Sequence, residues 1–281
     1  MSAATRTQPA PVLVRAAARR ASLRLALHAE WTKLRTVSGP AWLLVAIAAL
    51  TIAVGVAATA ATHCPHNLTC PVDTAKLSLT GIQVGQAMVA ILAVLMISNE
   101  YSSGMMRVTL AAMPNRSATL AAKAILLAAL VLVAGSVAVF GSLLAGHLIL
   151  PAHGFTAARG FHPVWLTYGP ALRAACGSVL YLALIALMSL GVAAVVRDSA
   201  VSVGIALALL YVFPIVLAFI GNAHWQHRFD RWAPTIAGLT VQDTTGLRSL
   251  AITPWAGLGV LALWAAAALL AGGLSFRLRD A

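Results

Sequence analysis

Six apolar runs divide this chain, at residues 41–62, 77–98, 120–150, 170–196, 199–221 and 254–276. A hydrocarbon core of roughly 30 Å takes about 20 helical residues to cross, and each run meets that length. Inside lipid every backbone N–H and C=O needs a partner within the segment, so such runs become helices and not open strands. The expected fold is an all-α polytopic membrane protein with six transmembrane helices, built as one domain over residues 1–281. Charge agrees: only 9% of the 281 residues are charged, against roughly 25% in a soluble domain. The run at 120–150 exceeds a straight crossing, which calls for tilt or for helix beyond the bilayer.

A net charge of +12 would point a soluble chain toward nucleic acid. Here the basic residues flank the spans, where they meet anionic headgroups, so lipid and not nucleic acid is the expected partner. Six spans put both ends of the chain on one side. Thirteen of the 19 lysines and arginines fall on that side and six on the other. The positive-inside rule then makes both termini cytoplasmic, together with the polar stretch between spans 2 and 3. Abundant arginine and alanine hint at a GC-rich bacterial source, hence a bacterial plasma membrane. No isolated apolar segment precedes the first run, so no cleavable leader is expected.

Two flanking segments show helical periodicity. Leu23, Leu27, Trp31 and Leu34 recur at i, i+4, i+8 and i+11, with Arg20, Arg24, His28 and Arg35 mostly off that face. This fits an amphipathic helix on the inner membrane interface, or an ordinary solvated helix. Ser38-Gly39-Pro40 is expected to break it. On the outer side Trp225, Phe229 and Trp232 are spaced i, i+4, i+7, and Ile236 and Leu239 extend that face past Pro234. Two short helices re-entering the outer leaflet fit the pattern, as a gate or as a lipid anchor.

Cys64 and Cys70 lie on the oxidising side, where a disulfide persists. His63 and His66 leave a metal site open as the alternative, although the C-x5-C spacing is not that of a zinc site. Cys176 reads as a packing residue. Gly81 and Gly85 form a weak small-residue packing signal.

The chemistry missing from the chain narrows its function. Hardly any ionisable residue falls in mid-span, so a proton or ion relay has little to stand on. No H-E-x-x-H, G-x-S-x-G or paired carboxylate occurs, and no catalytic, metal or cofactor residue is expected. No G-x-x-x-x-G-K-[ST] occurs either. If ATP and magnesium drive this protein, a partner ATPase binds them. A non-transporting sensor or immunity protein, and an ion-coupled secondary transporter, remain as alternatives.

Residues 99–116 read NEYSSGMMRVTLAAMPNR. After Glu100 this stretch has the pattern of a three-turn helix, with Tyr101, Met105, Val108 and Ala112 on one face and Glu100, Gly104, Arg107 and Ala111 on another. Glu100 would occupy the first turn, where the helix dipole favours an acid. Gly104 would admit another backbone. Pro114 would end the helix, and Arg116 and Lys123 would anchor the next span at the headgroups. The other reading is a plain loop with positive-inside arginines. Glu100-Tyr101, Gly104, Arg107-Val108-Thr109-Leu110 and Pro114-Asn115-Arg116 resemble, in order, the cytoplasmic loop of ABC-2-type permeases, the membrane subunits of one class of ABC exporter. The run HAEWTKLRT, the six spans and the outer segment before span 6 resemble the rest of that family's plan. The resemblance implies a transmembrane permease domain with a cytoplasmic coupling loop at 99–119 and tails at 1–40 and 277–281. It implies pairing with a second permease, identical or paralogous, above two cytoplasmic ABC ATPase subunits. Glu100, Tyr101, Gly104, Arg107, Thr109, Pro114 and Arg116 would then couple nucleotide-driven closure to an export path.

Overall fold

The protein is described here from a computed structural model, over residues 12–36, 38–65, 70–105, 116–162, 164–165, 167–219 and 229–278. Among these residues every regular element is helical, and six helices are long and apolar enough to cross a membrane. Span 1 is Ser38–Ala61, span 2 Ile82–Ser102, span 3 Arg116–Ile149 and span 4 Gly169–Val196. Span 5 runs through Ser199–Leu207, Ala208–Val212 and Phe213–Ala218, and span 6 is Pro254–Leu278. An N-terminal helix, Val12–Thr36, precedes them.

Spans 2 and 4 form the middle of the bundle. Their apolar windows are 56% and 67% buried, against 22% for spans 1 and 5, where Trp42, Val45, Val201 and Val212 stand exposed. Span 4 packs along span 6 and touches spans 2, 3 and 5, while span 1 lies on span 3 and the N-terminal helix lies under span 3. Gly81 and Gly85 bring span 1 close to span 2. A Cβ at Gly81 would fall 1.9 Å from the Thr51 carbonyl oxygen, and one at Gly85 would fall 2.4 Å from Thr51 Oγ1. The small-residue spacing thus packs spans within one chain.

Local chemistry sets the span ends. Arg197 adopts φ 64°, in the left-handed region, and closes span 4. Asp198 then accepts a hydrogen bond from Val201 N at 2.8 Å and caps span 5, so two residues suffice for the turn. In span 5, Pro214 cannot donate to a carbonyl one turn earlier. The π-helical turn Ala208–Val212 immediately precedes that point, where a widened ladder absorbs the missing bond. Ser38, Gly39 and Pro40 open span 1 instead of lying outside it. Proline is tolerated there because first-turn N–H groups have no intrahelical partner.

The bundle has two faces. On the proximal face the N-terminal helix lies against span 3 and reaches the end of span 2. On the distal face the 1–2 connection is docked onto two other connections. Cys64 and Cys70 are disulfide-bonded, with Cα atoms 6.0 Å apart. Arg159 donates to the Cys64 and Pro65 carbonyls at 2.9 and 2.6 Å. Asp73 caps the short helix Thr74–Ser78, accepting from Ala75 N and Lys76 N at 3.1 Å each. The same carboxylate accepts from Thr244 Oγ1 at 2.7 Å and Thr245 N at 3.1 Å, and Lys76 pairs with Asp243 at 2.6 Å. This clasp ties the segment before span 2 to the segment before span 6.

Candidate functional site

The proximal end of span 2 carries two adjacent residues, Glu100 and Tyr101, that reach in different directions. Glu100 is buried and lies in the last turn of its helix. The helix dipole opposes an acid there, so the charge needs compensation, and two lysines supply it. Lys123 of span 3 donates to Glu100 Oε1 at 2.7 Å, and Lys33 of the N-terminal helix donates to the same oxygen at 2.8 Å. Glu30, one helical turn before Lys33, closes the group. Its Oε2 accepts from Lys123 at 2.8 Å and its Oε1 from Lys33 at 3.2 Å. The result is a neutral ring of four ions joining three helices.

Burial decides how strongly this ring matters. The Lys123 side chain is 1% exposed and that of Glu30 3%, while Lys33 keeps 33%. Charges taken out of water lose several kcal/mol of solvation each, which only near-ideal partners offset. Glu100 Oε2 finds no hydrogen-bond partner among the described residues. Burial alone would pull the Lys33 ammonium down. The hydrogen bond and charge of Glu100, followed by the charge and hydrogen bond of Glu30, outweigh it and lift Lys33 above its ordinary value of 10.5. A cleft of about 410 Å³ adjoins the ring, lined also by Leu34, Met96, Asn99, Ser103 and Met105.

Tyr101 turns the other way. The Arg197 guanidinium carbon lies 5.3 Å from its ring centroid, and the Phe276 ring centroid lies 6.0 Å away. Arg197 also donates to the Ser275 carbonyl at 3.0 Å. One helix end thereby connects the N-terminal helix and span 3 through Glu100, and the 4–5 turn and span 6 through Tyr101.

Several sequence expectations change. Glu100 closes span 2 and does not open a separate helix, because the ring neutralises it at a dipole end that would otherwise reject it. Gly104 is required by its own backbone, φ 69°, and nothing lies within 4 Å of where its Cβ would stand. Lys123 is no headgroup anchor, since its ammonium is buried against Glu30 and Glu100. Arg116 opens span 3. Arg107, Thr109, Pro114 and Trp225 lie outside the described residues.

The described residues of the two periodic stripes are half-buried apart from Trp31 and Trp232. Ala26 and Glu30 are buried, whereas Leu23, Leu27 and Leu34 are half-buried and Trp31 is exposed. Before span 6 the helix Pro234–Leu239 buries Pro234, Thr235, Ala237 and Gly238. Phe229 and Ile236 are half-buried there, and Trp232 is exposed. Small and polar residues are the buried ones and these two tryptophans stand exposed, as close helix packing in a membrane favours.

Sequence reasoning missed Glu30, Lys33 and Lys123 as one group. A signal was present: the chain has only three lysines among 19 basic residues, and all three pair with carboxylates. The arrangement offers no nucleophile beside a base, and among the described residues no three His, Cys, Asp or Glu gather as metal ligands would. What it can do is hold three helices in one register or release them together. No protein-family model and no curated protein matches the chain.

Proposed function

We propose that this protein is the membrane-spanning permease subunit of an ATP-driven exporter, in a bacterial plasma membrane, with its proximal face toward the cytoplasm. The resemblance of residues 99–116 to the ABC-2-type loop motivates the reading. The Glu100–Tyr101 junction carries it. A push on the loop that begins at Gly104 reaches the N-terminal helix and span 3 through the ion ring, and span 6 through Arg197 and Phe276. ATP and magnesium belong to a separate cytoplasmic ATPase, and a second permease copy completes the path. Two discrete arrangements of such a network transmit work where a uniformly packed core would not.

The test is reconstitution with the ATPase that co-purifies in mild detergent. Arg107→Ala should lower export and substrate-stimulated ATP hydrolysis about tenfold while the protein still reaches the membrane. Glu100→Ala should do the same, with thermal unfolding measured beside it to separate coupling from stability. A cysteine at exposed Ser103 should label only from inside the cell. Transport without nucleotide, labelling from outside, or unchanged export in Arg107→Ala would overturn the reading.

A further inference from the structure

A second cleft, of about 430 Å³, opens on the distal face between the start of span 2 and the segment before span 6. Its wall carries both signs of charge. Lys76 is paired with Asp243 at 2.6 Å and keeps half of its side chain exposed. Asp230 pairs with no cation among the described residues. The Arg231 guanidinium is turned aside, with Nε donating to the Ala251 carbonyl at 2.9 Å. Gln83 Oε1 accepts from Gln86 at 3.2 Å, so what this side chain has left to offer a ligand is its amide N–H donors. The rest of the wall is mostly apolar, with Ile236, Leu239, Leu250 and Ile252 beside the polar Thr240 and Gln242.

The wall is preformed. Gly257 of span 6 sits so close to the helix Pro234–Leu239 that a Cβ would fall 1.9 Å from the Ala237 carbonyl oxygen. Gln242 donates to Ser178 at 3.2 Å inside span 4. Gln83 is the second residue of its span, which sets the cleft at headgroup depth. An unpaired carboxylate, an amide donor and an ammonium, set beside aliphatic side chains, complement one ligand chemistry. That ligand has a primary ammonium next to an anionic group, on an apolar body.

We infer that this cleft binds the headgroup of an aminophospholipid from the leaflet at that face. Asp230 takes the ammonium, Lys76 and Gln83 take the phosphate, and Ile236, Leu239, Leu250 and Ile252 take the upper chain. The assignment is independent of the coupling role proposed above. A trimethylated headgroup has no N–H to give Asp230, so choline lipids bind less well.

Native mass spectrometry of the full-length protein, released from nanodiscs of equal phosphatidylethanolamine and phosphatidylcholine, tests it. Phosphatidylethanolamine should be retained about tenfold in preference. Asp230→Asn, which breaks no described ion pair, should abolish the preference. Leu250→Trp, which fills the apolar wall, should lower retention of both lipids, with an unchanged unfolding temperature as the folding control. Free phosphoethanolamine should bind at least tenfold more weakly than the lipid. Equal retention of the two lipids, a preference surviving Asp230→Asn, or free phosphoethanolamine binding as tightly as the lipid would each overturn the assignment.

Discussion

The two faces of the bundle are held by different means. The proximal face relies on four paired side-chain charges from three helices, all but Lys33 buried. The distal face relies on one carboxylate, Asp73, that takes backbone and hydroxyl donors, with a disulfide and the half-exposed Lys76–Asp243 pair beside it. In the ring each ion stabilises two others, so losing one strands its partners in a place without water. In the clasp most partners are backbone groups or solvated residues, and losing one contact leaves the rest intact. The ring therefore has few intermediate states, whereas the clasp loosens gradually.

That contrast orders the expected effects. Lys123→Met should be the most damaging, costing about 3–5 kcal/mol in detergent unfolding followed by tryptophan fluorescence, because it strands Glu30 and Glu100. Adding Glu30→Gln restores charge balance around Lys33 and Glu100 and should recover part of the loss. A loss below about 1 kcal/mol for Lys123→Met would break the comparison outright. Asp73→Ala should cost about 2 kcal/mol, combining a lost helix cap with lost bonds to Thr244 and Thr245.

Lys33 sharpens the contrast through pH. Its folded value is raised, so its contribution is complete below the unfolded lysine value of about 10.5 and is lost as pH rises through the higher folded one. Unfolding midpoints measured from pH 7 to 11.5 should hold steady, then fall only at the alkaline end, and the fall should vanish in Lys33→Met. The effect is smaller than that of Lys123, since a third of the Lys33 side chain meets solvent. Smallest of all, Lys76→Gln should change stability by less than about 1 kcal/mol, as expected for a half-exposed pair.

The span count was legible because apolar length alone decides it. The end of span 2 was not. Asn99-Glu100-Tyr101 reads as the start of a polar loop, and the sequence placed the boundary at residue 98. The helix continues to Ser102 because Glu100 is neutralised by Lys33, 67 positions away, and Lys123, 23 positions away. Lys123 looked like a headgroup anchor for the same reason, its partner Glu30 being 93 positions distant. The Asp73–Thr244 bond spans 171 positions. Such pairings leave no periodic trace, whereas the six-residue spacing of Cys64 and Cys70 already kept a bridge among the alternatives. In lipid a stripe of leucine and tryptophan marks the side away from the protein, so the alanines and glycines between them carry the packing.

Span 3 is a single unbroken helix of 34 residues, about 51 Å from end to end. It holds Lys123 near one end, and His147 near the other, where the histidine ring lies 4.9 Å from that of Trp165. A rod of that length pivoting at mid-membrane swings each tip by about 2 Å for every 5° of tilt. A sideways nudge at the ion ring therefore displaces the far surface in the opposite sense, as a seesaw does, without any bond in between having to break.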